Sequence, residues 1–347
     1  MTEEDLTPIT PDEAVKLYLD ARRDDAAEWT VTSHRSRLRP FLEWCEVENI
    51  SNLNELDGRD LYEYRVWRRE GGYSRGQVET LAPATLETAL STLGRFLQFA
   101  AHVEAVPEDL FMKVPIPDLS DGDEVSDSKI VPERVPPIVE YLEKFHYASR
   151  DHVIVLMMWH TGARIGGLRA LDLRDADLEG ESPGLDFVNR PDAGTRLKNG
   201  EKSERYNRIH REVADVLMDY VTGPREAVTD AHGRRPLIST REGRASSSVI
   251  RNTLYKVTRP CWIGEECPHG EDPETCEWTY YDQASKCPSS RSPHDVRKAR
   301  VTSYRNDNVQ RGVVSDRLDA SEDILDKHYD RASAREKANR RWREIQR

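Results

Sequence analysis

Between residues 105 and 135 the helical spacing of apolar residues, regular up to that point, breaks off. The chain reads Val-Pro-Glu-Asp and then Val-Pro-Ile-Pro-Asp-Leu-Ser-Asp-Gly-Asp-Glu, proline mixed with acidic and small residues. Proline brings no amide donor to a helix, and short acidic residues bury little apolar surface, so this stretch is expected to be an extended linker. With 347 residues in all, enough chain lies on either side for a separate core. The break therefore predicts a helical domain over residues 1–105, a linker over 106–130 and a larger domain over 131–347.

The first segment carries four amphipathic patterns. Thr10-Pro-Asp-Glu13 is a helix start, with Thr10 as cap, Pro11 in the first turn and Glu13 closing a capping box. A second helix is expected from about Thr32 through Leu38, Phe41, Leu42 and Cys45, and a third behind Asp57 with Leu61, Tyr64 and Trp67 on one side. A fourth starts near Pro83 and sets Leu86, Leu90, Leu93, Leu97 and Ala100 at helical spacing. Together they predict a small helical bundle. In the second segment, helices are expected over 136–145, 150–160, 213–221 and 247–257, with short turn-separated pieces from Leu185 to Ile209. There Asn199-Gly200 sits between polar arms, a strong hairpin signal. The fold class is mainly α with a small β-sheet, an α+β chain.

The formal net charge of -12 weighs against a nucleic-acid partner at first sight. The distribution softens that inference, since Gln283 to Arg347 holds 16 basic and 10 acidic side chains. A local basic face on an acidic body suffices for DNA. Only 11 of the 51 basic residues are lysine, and such an acidic, arginine-retaining surface fits a high-salt, halophilic cytoplasm where extra charge is screened. No apolar run reaches the roughly 20 residues that span a bilayer. The acidic start Met-Thr-Glu-Glu-Asp-Leu does not read as a signal peptide, so a cytoplasmic protein without membrane contact is expected.

His294 and Arg297 stand three apart in a helical stretch, on one face, where both can address one ligand. An arginine fork matches phosphate oxygens, and histidine moves protons near neutral pH. Upstream lies His160-Thr-Gly-Ala-Arg164-Ile-Gly-Gly-Leu-Arg-Ala-Leu; downstream lies Leu318-Asp-Ala-Ser-Glu-Asp-Ile-Leu-Asp-Lys-His-Tyr329. In order and spacing the three resemble the motifs of the tyrosine recombinase (phage-type integrase) family. The resemblance implies a SAM-like, core-binding helical domain followed by a catalytic domain. It also implies that Tyr329 attacks a scissile phosphate and forms a 3′-phosphotyrosyl link, with Arg164 and Arg297 holding the non-bridging oxygens. His294 would assist proton movement at the nucleophile or hydrogen-bond the phosphate, and Lys198, with Lys202 second in line, would protonate the leaving 5′-oxygen. No nucleotide cofactor is implied, because the phosphotyrosine keeps the bond energy. The implied partner is double-stranded DNA, bound by a homotetramer whose charged tail, residues 331–347, packs on a neighbour.

Three positions depart from the family pattern. Ala320 stands where a histidine or tryptophan is usual, Gly167 where an acidic residue is common, and Lys298-Ala-Arg300 where His-Thr or His-Ser follows the arginine. Losing one phosphate donor costs on the order of 10²-fold in rate. Two other readings follow: a DNA-binding protein of this fold whose chemistry has decayed, or a type IB topoisomerase-like enzyme that nicks and reseals. Separately, four of the five cysteines fall within residues 261–287 in the spacing C-x5-C-x-H-x6-C-x10-C. Cys267, His269, Cys276 and Cys287, with Cys261 as alternative, offer soft donors for one structural zinc. Common paired C-x2-C knuckles do not occur there, while Cys45 is expected to be a packed core thiol.

Overall fold

The computed structural model describes residues 6–26, 28–73, 78–119, 130–325, 338 and 342. It divides into two compact units, residues 1–126 and 127–347. Among the described residues no helix is long and apolar enough to cross a membrane.

The first unit is built on α1 (Pro11–Asp25), α2 (Glu28–Val47), α3 (Gly58–Arg69) and α4 (Pro83–His102). Thr10 caps α1, its hydroxyl accepting from the Glu13 amide while the Glu13 carboxylate accepts from the Thr10 amide. Asp57 and Asp60 make the same reciprocal pair at the start of α3. These side chains satisfy amides that a helix start leaves without partners. The apolar stripes meet in one core in which Leu38, Phe41, Leu61, Leu90, Phe96 and Leu97 are fully buried. Phe41 meets the Tyr64 ring edge-on at 5.5 Å, and Trp44 lies against the same ring. Under this core the Tyr18 hydroxyl and His34 Nδ1 stand 2.7 Å apart, which satisfies two buried polar groups at once.

The stretch expected to be a linker begins later than the sequence pattern suggests. Val106, Leu110 and Val114 are buried in the core of the first unit, and Leu110–Lys113 forms a short 3-10 turn against α4. Prolines ended the helical pattern here without ending the domain, because isolated apolar residues between them still find a core. Residues 120–129, the acidic C-terminal part of the expected linker, lie outside the described residues.

The second unit wraps α6 (Arg150–Thr161), whose Val153, Ile154, Met157 and Met158 are fully buried. Around it stand α5 (Val135–Phe145), α7 (Ile165–Ala170), α8 (Arg211–Thr222), α9 (Ser247–Val257) and α10 (Pro293–Asn306). A three-stranded antiparallel sheet, β1 (Ala176–Asp177), β2 (Gly184–Phe187) and β3 (Arg205–Arg208), runs in that spatial order. In its register Phe187 faces Arg205, and Gly184 faces Arg208. β4 (Ser239–Thr240) and β5 (Gly243–Arg244) form a separate pair. The mainly α chain with small antiparallel sheets expected from sequence is thus observed.

The Asn199-Gly200 hairpin is a correction. Asn199 has φ -109°, whereas a tight two-residue turn of the Asn-Gly type needs positive φ at both positions. Only Gly200 turns left-handed, and a 3-10 turn follows over Gly200–Ser203. The hairpin is formed instead by β2 and β3, with residues 188–204 as its long loop. An ion network backs this loop: Arg190, Arg234 and Arg244 engage Asp172, Asp175 and Asp230, with Arg190 to Asp175 at 2.6 Å and Arg234 to Asp230 at 3.0 Å. Three acids against three largely buried guanidiniums leave little net charge.

The aromatic core makes a direct prediction. Phe41→Ala removes a fully buried ring that touches Trp44, Tyr64 and Phe96, and is expected to destabilise the first unit by about 3–5 kcal/mol. Urea unfolding followed by tryptophan fluorescence would check this; a loss well under 1 kcal/mol would contradict this core.

Candidate active site

Four segments far apart in sequence converge near the end of α6. Gly162 caps this helix in the left-handed region at φ +62°, where a side chain would be strained. A Cβ built there would also stand 2.8 Å from Leu318 Cδ2, so glycine is required twice over. The turn delivers Arg164 to the N-cap position of α7. From α10, the Arg297 side chain, 1% exposed, donates its Nη1 to the Gly162 carbonyl at 2.5 Å. Arg164 and Arg297, to which the family resemblance drew attention, are therefore brought to one corner.

His294 precedes Arg297 by one turn, behind Ser292, whose hydroxyl accepts from the Asp295 amide. The residue is exposed on one side. Dense packing on the other side, then the charges of Lys298, Arg297 and Arg164, push its pKa down to about 4. At neutral pH the ring is uncharged and is only a weak base.

The third segment is α11 (Arg311–Leu318) with the turn that ends it. Asp319 is left-handed at φ +54° and its side chain is largely buried. Its carboxylate accepts from Arg164 Nη1 at 2.5 Å, from the Ser203 hydroxyl at 2.7 Å and from Asn199 Nδ2 at 3.2 Å. Asn199 and Ser203 belong to the fourth segment, the loop between β2 and β3. Lys198 and Lys202 are exposed on that loop, each one residue from a side chain that holds Asp319.

Arg205, on β3, is a member of this group that the sequence pattern does not reveal. Its guanidinium lies 4.3 Å from the Phe187 ring centre and donates to the carbonyls of Ser203 and Arg317. Burial lowers its pKa to about 10; Asp319 opposes that shift, while the charges of Arg297, Arg164 and Arg317 add to it. Arg317 in turn bonds the carbonyls of His160 and Arg208 and the Tyr304 hydroxyl. No local signal points to Arg205, because its place opposite Phe187 is set by the pairing of β2 with β3. Neutral carbonyls and the Tyr304 hydroxyl take the hydrogen bonds of Arg205 and Arg317, so their positive charge is retained, unlike that of the arginines paired with Asp172, Asp175 and Asp230.

Two of the departures from the family pattern acquire physical content here. Ala320 is buried with Val301, Tyr304, Val314, Leu318 and Leu325, so this position packs a small core. Gly167 is buried, and a Cβ there would lie 3.2 Å from the Phe187 ring, which occupies the space an acidic side chain needs. Ser321 caps the short helix α12 (Glu322–Ile324), its hydroxyl accepting from the Ile324 amide at 3.4 Å. Tyr329 and nearly all of the 331–347 tail lie outside the described residues.

In the cysteine insert the thiols are unpaired. Burial raises the Cys261 pKa, and the nearby thiols of Cys267 and Cys287 raise it further. His269 Nε2 stands 2.9 Å from the Ser289 hydroxyl. Among the described residues no three His, Cys, Asp or Glu side chains are gathered closely enough to hold a metal ion.

Residues 16–104 match the family described as phage integrase, N-terminal SAM-like domain. The N-terminal domain of a phage integrase/site-specific recombinase from Haloarcula marismortui is 38% identical, over 32% of this chain and 99% of that one, with a TM-score of 0.29. XerH site-specific recombinase bound to a palindromic difH substrate is 14% identical over 96% of this chain and 85% of that one, with a TM-score of 0.63. Lambda integrase as a dimer bound to a COC′ core site is 13% identical over 97% of this chain and 78% of that one, TM-score 0.59. As a tetramer bound to a Holliday junction it is 13% identical over 94% and 79%, TM-score 0.60. No curated protein matches the sequence. The fold is the two-domain fold of these solved structures, with a SAM-like helical domain first. Over residues 16–104 the chain matches the phage integrase N-terminal SAM-like domain, and over nearly its full length it shares the fold of lambda integrase and XerH recombinase.

The buried histidines set a pH dependence. Burial pushes His152 down to about 4 and His160 to about 3, with Arg317, His210 and Arg300 adding to the second. The unfolded chain, with ordinary histidines, takes up protons first as the pH falls, so this stability is complete above about 6.5 and lost below it. Between pH 6.5 and 5 the loss is expected to be about 2 kcal/mol for each of these two rings. Urea midpoints across that range would show it; a flat profile would contradict the buried neutral rings.

Proposed function

We propose that this chain is a site-specific DNA recombinase that cuts and rejoins DNA through a 3′-phosphotyrosyl intermediate on Tyr329. The observation that carries the reading is the convergence of Arg164, Arg297 and Arg205 at the turn from which the chain runs on to Tyr329. Such a surplus of fixed guanidinium charge suits a group whose oxygens gain charge in the transition state. In the proposed reaction the Tyr329 oxygen bonds to phosphorus and the bond to the 5′-oxygen breaks. Arg164 and Arg297 hold the non-bridging oxygens, neutral His294 assists proton movement at the tyrosine or hydrogen-bonds the phosphate, and Lys198, or Lys202 in its place, protonates the 5′-oxygen. The phosphotyrosine conserves the phosphodiester energy, so rejoining needs no nucleotide cofactor. The DNA-bound dimer and tetramer of lambda integrase support double-stranded DNA as partner and a tetramer as the working assembly. The acidic, lysine-poor composition supports activity at high salt.

Ala320 supports a second reading, a DNA-binding protein of this fold that no longer cleaves, because it contributes a methyl group to a small core where the family commonly has a donor. Trapping on a nicked duplex carrying the cognate site, in molar salt, separates the two. A covalent adduct is expected from the wild type, none from Tyr329→Phe, and a rate lower by about 10²–10³-fold from Arg164→Ala. DNA binding without any adduct would establish the decayed module; relaxation of supercoils without exchange between two sites would point to a topoisomerase-like enzyme.

We also propose that Cys267, His269, Cys276 and Cys287, with Cys261 as alternative, bind one structural zinc. The donor types suit zinc and their present separation does not, so binding would draw the 261–287 loop together. About one zinc per chain is expected in protein purified without chelator, and much less in Cys267→Ser or Cys287→Ser. Metal-free protein of undiminished thermal stability would refute the site.

A further inference from the structure

Asp319 occupies a place that is electrostatically unfavourable for a carboxylate. It ends α11, where the helix dipole favours cations, and it holds a left-handed backbone that side chains other than Asn or Asp seldom take. A residue chosen to end the helix would be glycine or asparagine. What the carboxylate gains is three donors from two other segments: Arg164 at 2.5 Å, Ser203 at 2.7 Å and Asn199 at 3.2 Å. The Ser203 hydroxyl also accepts from the Asn199 amide at 3.2 Å, so the loop is closed on itself before it reaches Asp319. The turn is anchored independently, since the Arg317 carbonyl accepts from Arg205 Nε and Asn207 Nδ2, both at 3.0 Å. Helix-ending and anchoring therefore do not account for the carboxylate.

We infer that Asp319 is a positioning residue: its carboxylate orients the Arg164 guanidinium and ties the 199–203 loop, with its flanking lysines, to the segment leading to Tyr329. The contact uses one N–H of Arg164, and a guanidinium has five, so donors remain to face a phosphate. A negative charge beside a phosphate-binding arginine does nothing for affinity. Its contribution is geometric and falls on the rate of the chemical step. This inference rests on the recombinase reading, and its test separates the two.

Single-turnover adduct formation at saturating protein, and DNA affinity measured separately, are compared for wild type, Asp319→Ala, Asp319→Asn and Ser203→Ala. Asp319→Ala is expected to slow the adduct by about 10- to 100-fold while changing DNA affinity by less than about 3-fold. Asp319→Asn, which keeps an acceptor oxygen in the same shape, is expected to recover part of the rate. Ser203→Ala leaves the arginine contact and is expected to lose less, and adding it to Asp319→Ala is expected to cost nothing more. Wild-type or faster cleavage by Asp319→Ala, or fully additive losses, would overturn the assignment. Should the wild type itself form no adduct, the recombinase reading fails and hydrogen exchange at residues 199–203 tests the tie alone. Faster exchange in the near-isosteric Asp319→Asn supports it, and unchanged exchange overturns it.

Discussion

The site depends on one corner of backbone, the left-handed Gly162 at the end of α6. Its carbonyl receives the buried Arg297 guanidinium, its missing side chain admits Leu318, and two residues later it delivers Arg164. A residue with a Cβ would be strained there and would press on Leu318, which precedes Asp319. Three of the four converging segments are therefore registered against a single atom-scale constraint. The helix behind it is rigid for an ordinary reason: its apolar residues are buried on almost every side, and α5, α7, α8, α9 and α10 all pack against it.

An acidic protein builds a basic site here by the choice of hydrogen-bond partner. In one cluster, Arg190, Arg234 and Arg244 meet Asp172, Asp175 and Asp230, and the charges cancel. At the Gly162 corner, Arg205 and Arg317 donate to peptide carbonyls and the Tyr304 hydroxyl, which satisfy the donors without removing the charge. Asp319 meets this second group through Arg164. The two clusters share a residue type and differ in what surrounds it, so composition and net charge are poor guides to where an anion would bind.

Much of the architecture was legible from local pattern. The capping boxes at Thr10 and Asp57, the stripe from Leu86 to Ala100 and the buried helix from Arg150 each follow from side-chain chemistry within a few residues. Reading failed where the deciding contact was distant. Val106, Leu110 and Val114 sit among prolines and acids and still join the first core. Asn199-Gly200 carries a turn signal, but its loop is held by Ser203 and Asp319 and the strand pairing lies beyond it.

Sequence by itself determined a mainly helical chain whose apolar pattern breaks between two segments, each with enough residues for its own core, because periodicity is a local property of the chain. Tertiary structure alone decided that Asp319 faces Arg164, that Arg205 joins the cluster, that Ala320 is core and that Phe187 fills the space beside Gly167. Those facts depend on which side chains meet across more than a hundred residues of chain, as Arg164 and Asp319 do at a separation of 155, and no local pattern records such a meeting.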